Sequence, residues 1–64
     1  MANVNPAQVE KYLGGMDYPA TRDALADYAK RQGADTNVLQ TIQNLPYDNF
    51  DTPADVSEAI GEME

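Results

Sequence analysis

Asp48, Asn49, Asp51 and Asp55 stand close together in the second half of this chain and could supply oxygen ligands of the kind a divalent cation takes. Their spacing lacks the alternating acids, central glycine and terminal glutamate of a calcium-binding hand, so a solvated loop and a helix cap account for them better. The chain has no histidine and no cysteine. That removes the usual general base near neutral pH, the usual nucleophile dyads, the usual transition-metal ligands and any disulfide framework. Catalysis would have to rest on carboxylates, tyrosines or lysines, in a domain with little interior in which to shift a pKa. The expectation is a protein that is not an enzyme, takes no metal or cofactor and has no small-molecule substrate. Gly14-Gly15 ends an apolar-periodic segment where a phosphate loop needs glycine leading into one.

The remaining chemistry is that of a surface. Eleven acids against four bases give a net charge of -7, a field that repels polyanions and anionic membranes and favours basic partners. The charges are uneven. Lys11, Arg22, Lys30 and Arg31 all lie in the first half, whereas Asp35, Asp48, Asp51, Asp55, Glu58, Glu62 and Glu64 follow Gln32 with no base among them. Tyr47, beside Pro46 and Phe50 and amid Asp48 and Asp51, could anchor a protein contact, because an aromatic ring offers large contact area. Tyr47, Asp48, Phe50, Asp51 and Asp55 are therefore the candidate protein-binding residues, facing an unidentified protein with a basic surface. The plainer account is that these acids keep a small protein soluble and complement helix dipoles, with Tyr47 folded back on the core.

A second functional class rests on the middle of the chain. Ala29, Gly33, Ala34, Leu39 and Ile42 are spaced as in a helix-turn-helix, where a small residue, a turn glycine and later apolar residues let two helices pack steeply. Residues 36–45 would then read base edges through Asn37, Gln40, Thr41, Gln43 and Asn44, with Lys30, Arg31 and Arg22 on phosphates. Electrostatics opposes this, since phosphate contacts supply most of the binding free energy and the reading helix has neither lysine nor arginine. Any two helices joined by a glycine turn share the spacing. A third class, an acidic mimic occupying another protein's nucleic-acid site, would use the same acidic surface.

The elements that must position these residues are announced by their starts. Asn5-Pro6-Ala7-Gln8 and Thr52-Pro53-Ala54-Asp55 have capping-box spacing with proline in the first helical position, and Thr21 and Asp35 cap two further helices. The first helix is predicted from about Pro6 to Leu13, stapled by Val4 and Val9 and stopped by Gly14 and Gly15. The second runs to about Gln32, with Ala24, Leu25, Tyr28 and Ala29 on one face and Gly33 as its left-handed stop. The third runs to about Asn44, with Val38, Leu39, Ile42 and Leu45 at helical spacing and Pro46 as terminator. The fourth spans Pro53 to Ile60, burying Val56, Ala59 and Ile60 before Gly61. The connector from Tyr47 to Asp51 reads as too short and too acidic for a strand.

These readings predict an all-α single domain over 1–64, a compact bundle of four short helices joined by Gly- and Pro-containing turns, with frayed ends at 1–4 and 61–64. The expected core is Val9, Tyr12, Leu13, Met16, Leu25, Tyr28, Val38, Leu39, Ile42, Leu45, Phe50, Val56 and Ile60. An aromatic shortly before a capping threonine recurs at Tyr18 to Thr21 and Phe50 to Thr52, which reads as a helix-leading device rather than a repeat. The polar N-terminus lacks the apolar run of a signal peptide and no segment reaches the length of a membrane span, so a cytoplasmic setting is expected.

The runs Tyr12-Leu13-Gly14-Gly15, Asp17-Tyr18-Pro19-Ala20-Thr21-Arg22, Gln32-Gly33-Ala34-Asp35, Leu45-Pro46 and Thr52-Pro53-Ala54-Asp55-Val56-Ser57-Glu58-Ala59-Ile60-Gly61 together resemble the small bacterial family catalogued as domain of unknown function 2795, common in cyanobacteria and actinobacteria. The resemblance covers nearly the whole chain. It implies a bacterial, cytoplasmic, stand-alone domain and brings no established activity, since its motif residues are caps, stops and core. Where the family tends to have an acidic residue that would complete a capping box with Thr21, this chain has Ala24. The sequence thus points to a non-enzymatic interaction or regulatory module with an acidic C-terminal half, with a helix-turn-helix accessory DNA-binding protein as the alternative.

Overall fold

A computed structural model describes residues 5–63, which form four helices and one two-stranded ladder: α1 (Pro6–Lys11), β1 (Ala20–Thr21), α2 (Arg22–Arg31), α3 (Thr36–Gln43), β2 (Asn49–Phe50) and α4 (Pro53–Glu62). All four expected caps are formed. Asn5 and Gln8, and Thr52 and Asp55, make reciprocal capping boxes with proline inside each first turn, while the Thr21 and Asp35 side chains accept from the N–H groups of Ala24 and Val38. The staple expected from Val4 lies outside the described residues.

The all-α expectation holds in part: the chain is mostly helical with four helices, but it also carries a small two-stranded sheet. β1 and β2 pair antiparallel, Ala20 opposite Phe50 and Thr21 opposite Asn49, so the connector read as strandless contributes a strand. Two residues need little strand propensity of their own when a partner and a buried anchor hold them. Phe50 supplies the anchor, being buried while its neighbour Asn49 is exposed. Arg22 supplies a second tie: its N–H donates to the Asp48 carbonyl at 2.8 Å, and its guanidinium donates to the Leu45 carbonyl at 2.8 Å and meets the Asp48 carboxylate at 3.1 Å.

This tie is testable. Arg22→Met keeps the aliphatic stem but abandons the Leu45 carbonyl, and hydrogen bonds to charged groups contribute about 1.5–3 kcal/mol. The guanidinium is partly exposed, so the lower end of that range is expected. A fall in melting temperature of roughly 5–10 °C follows for a domain of this size. Circular dichroism melting checks it, and an unaltered melt would show that the tie contributes nothing.

Two helix ends differ from the sequence reading. α1 stops at Lys11, and the N–H groups of Tyr12 and Leu13 bond three residues back in a tightened turn. The chain swings onward at Gly15, whose φ is +84°, and Tyr28 fastens this corner by donating to the Gly14 carbonyl at 2.6 Å. It then passes a cis Tyr18–Pro19 peptide into β1. α4, expected to release at Gly61, continues through it to Glu62, so residues 61 and 62 are helical rather than frayed. At the end of α2, Gly33 has φ +89°, its N–H bonds to the Lys30 carbonyl and that of Ala34 to the Ala29 carbonyl, which is a complete Schellman motif.

One core joins the elements. Val9, Leu13, Ala20, Leu25, Ala29, Val38, Ile42, Leu45, Phe50, Val56, Ala59 and Ile60 are buried, with Tyr12, Met16, Tyr18, Tyr28 and Leu39 packed around them. α2 packs on α3 and α1 on α4, and Ser57 of α4 donates to the Glu10 carboxylate of α1. No buried side-chain polar atom among the described residues lacks a hydrogen-bond partner.

Candidate functional site

α4 lays Asp55, Glu58 and Glu62 along one outer face, and Asp51 precedes them just before the Thr52 cap. With Tyr47, Asn49 and the edge of Phe50 they line a shallow recess of about 230 Å³. The steps of three and four residues from Asp55 to Glu58 and Glu62 are those that return a helix to the same face, and Asp51 stands just outside the helix. Glu58 and Glu62 belong to the acidic half read from the sequence but not to its candidate protein-binding residues, although their spacing from Asp55 was legible.

The expected cluster is partly dissolved by the fold. Asp48 leaves the other acids and pairs with Arg22, in a separate recess with Thr21, Asp23 and Asn49. Phe50 is 1% exposed and belongs to the core, as expected, and meets the recess from beneath. Asp55 is half-buried and its Oδ2 accepts from the N–H groups of Asp51 and Thr52 at 3.1 and 3.2 Å, so it serves the helix cap as well as the acidic face. Asp51 remains exposed. Among the described residues no three acidic side chains converge in the manner of metal ligands.

Tyr47 does reach the surface. It is 49% exposed, its ring meets Phe50 edge-on with centroids 6.4 Å apart, and its hydroxyl donates to Glu62 Oε1 at 2.6 Å. This bond joins the connector to the last turn of α4. It also holds the phenol proton, aided by the negative charges of Glu62 and Glu58, so the Tyr47 pKa lies above the ordinary tyrosine value. The raised pKa means that the bond stabilises the fold below about pH 10 and is lost as pH rises through the higher folded value. Glu62→Gln is therefore expected to move the Tyr47 ionisation, followed by absorbance of the phenolate, down towards the ordinary value. An ionisation that stays put would show that Glu62 does not hold the proton.

The residues of the nucleic-acid reading are placed differently. Asn37, Gln40 and Asn44 are exposed on α3 and at its C-terminal cap, but Thr41 is half-buried and its hydroxyl donates to the Asn37 carbonyl at 2.8 Å. Arg31 is paired with Asp27 at 3.0 Å. Lys30 lies in a groove of about 340 Å³ between α2 and α3, with Asp23, Asp27, Ala26, Leu39 and Gln43. Adjacent helical residues point about 100° apart, so Lys30 and Arg31 do not present a joint cationic patch. Each has an aspartate of α2 nearby, and Arg22 is committed to the fold.

The family model for proteins of unknown function designated DUF2795 matches residues 4–57, which span α1 to the first half of α4. The chain belongs to this family. No curated protein and no solved structure shows a significant match to it. The match takes in every N-cap of this DUF2795 domain, both strands and the Gly15 and Gly33 turns, and ends at Ser57, short of Glu58 and Glu62. No described helix of the domain is long and apolar enough to cross a membrane.

Proposed function

We propose that this DUF2795 domain is a non-enzymatic interaction module whose α4 face meets a protein with a basic surface. One observation carries this reading: Asp51, Asp55, Glu58 and Glu62 line one recess with the exposed Tyr47, and among the described residues no lysine or arginine forms an ion pair with any of them. Four carboxylates close together repel one another and are relieved by a cationic partner, which also gains from the electrostatic steering of a net charge of -7. Tyr47 adds a rigid aromatic already held in place by Glu62. The test is capture from native lysate on the immobilised domain, with nuclease-treated and untreated halves. The variant Asp51→Asn, Asp55→Asn, Glu58→Gln, Glu62→Gln runs in parallel. Proteins retained by the natural chain in both halves and lost by the variant support the reading. Proteins that vanish with nuclease would move the argument to α3, and equal retention by the variant would remove the acidic face from it.

A further inference from the structure

The two halves of this chain are built alike, and each is completed by the other. Both run helix, strand, helix: α1–β1–α2 and α3–β2–α4. Asn5 corresponds to Asp35 at the first cap and Thr21 to Thr52 at the second, while Leu25 and Ala29 correspond to Val56 and Ile60 on the buried side of the second helix. The two aromatic-to-threonine segments that recur in the sequence are the segments that pair as β1 and β2. The packing repeats the correspondence. α2 lies on α3 as α4 lies on α1, β1 touches α2 as β2 touches α4, and the antiparallel ladder is its own counterpart. Exchanging the labels of the halves leaves this scheme unchanged.

Within a half, substantial packing joins only the strand to the following helix, whereas the main helix-to-helix packing runs between halves. A half therefore finds its core in the complementary half, whichever molecule supplies it. We propose that this chain forms a half-exchanged homodimer, in which residues 36–62 of one copy complete residues 5–31 of another and Gln32–Asp35 serves as the hinge. The hinge is held by one turn of hydrogen bonds and by Ala34, which packs against the core. The Gly33 and Ala34 N–H groups bond to the end of α2, and nothing lies within 4 Å of the place a Cβ on Gly33 would occupy. Opening it gives up the bonds of one turn and the proximity of the two tethered halves, while the same core contacts re-form between chains. Exchange is therefore favoured by high protein concentration, and by salt that screens two copies each carrying -7.

Removing Gly33 and Ala34 leaves too little chain for α3 to turn back onto α2. The shortened protein is expected to keep its helical circular dichroism and to elute, by light scattering, at about twice the mass of one chain. A folded monomer would overturn the proposal. If the shortened chain does not fold, a complementation pair decides: Leu25→Asp, which spoils the first half, and Val56→Asp, which spoils the second. Each is unfolded alone. Refolded together at high concentration, exchange unites the intact first half of one with the intact second half of the other and restores roughly half of the natural helical signal. A mixture whose spectrum is only the average of the two unfolded proteins would overturn the proposal.

Discussion

Phe50→Ala is expected to leave the domain with at most about 2 kcal/mol of its stability at 25 °C. Phe50 is the largest of the fully buried side chains, and it anchors β2 opposite Ala20 while supporting the ring of Tyr47. Truncating a buried phenylalanine costs about 3–5 kcal/mol, and a domain of this size has on the order of 5 kcal/mol to lose. The ladder would also lose the residue that holds its second strand, freeing Tyr47 and with it the last turn of α4. Far-ultraviolet circular dichroism and urea titration check this. Phe50→Leu, which keeps most of the volume, should still melt cooperatively. An alanine variant melting only a few degrees below the natural chain would show that Phe50 is not the anchor described here.

Neutralising the α4 face is expected to weaken capture of the proposed basic partner about fivefold or more without unfolding the domain. Each exposed ion pair contributes about 0.2–1 kcal/mol, so four carboxylates acting together account for roughly 1–4 kcal/mol, or about 5- to 1000-fold in affinity. The fold is spared because an asparagine oxygen at position 55 can still accept the Asp51 and Thr52 N–H groups, and glutamine is a good helix former at positions 58 and 62. Binding isotherms at increasing ionic strength add a second readout: the natural chain should lose affinity with salt and the variant should depend on it much less. Asp23→Asn with Asp27→Asn, on the α2 side, should leave capture unchanged. A loss there equal to the loss on α4 would point to net charge rather than to this face.

Much of the fold was written locally. A cap needs one side chain of the right type a few residues before an apolar period, so Asn5, Thr21, Asp35 and Thr52 could each be read without knowing what lay beside them. Gly33 was equally legible, because a positive φ after a helical period is a local demand. The ladder was not legible. Asn49-Phe50 has no strand period to display, and its pairing with Ala20-Thr21 depends on two distant segments meeting across the core. The hydrogen bond from Tyr47 to Glu62 in the last turn of α4 was hidden for the same reason, since it joins two different elements.

The candidate site divides along the same line. The sequence by itself determined the acidic second half, the absence of histidine and cysteine, the family and the four helix starts, all of them properties of residue type and short spacing. Only the tertiary structure decided which acids share a face. It drew Asp48 aside to Arg22 and set Asp51, Asp55, Glu58 and Glu62 in one recess with Tyr47. The physical reason is that a helix cap is satisfied within one turn of chain, whereas a surface is defined by which segments the buried core leaves side by side.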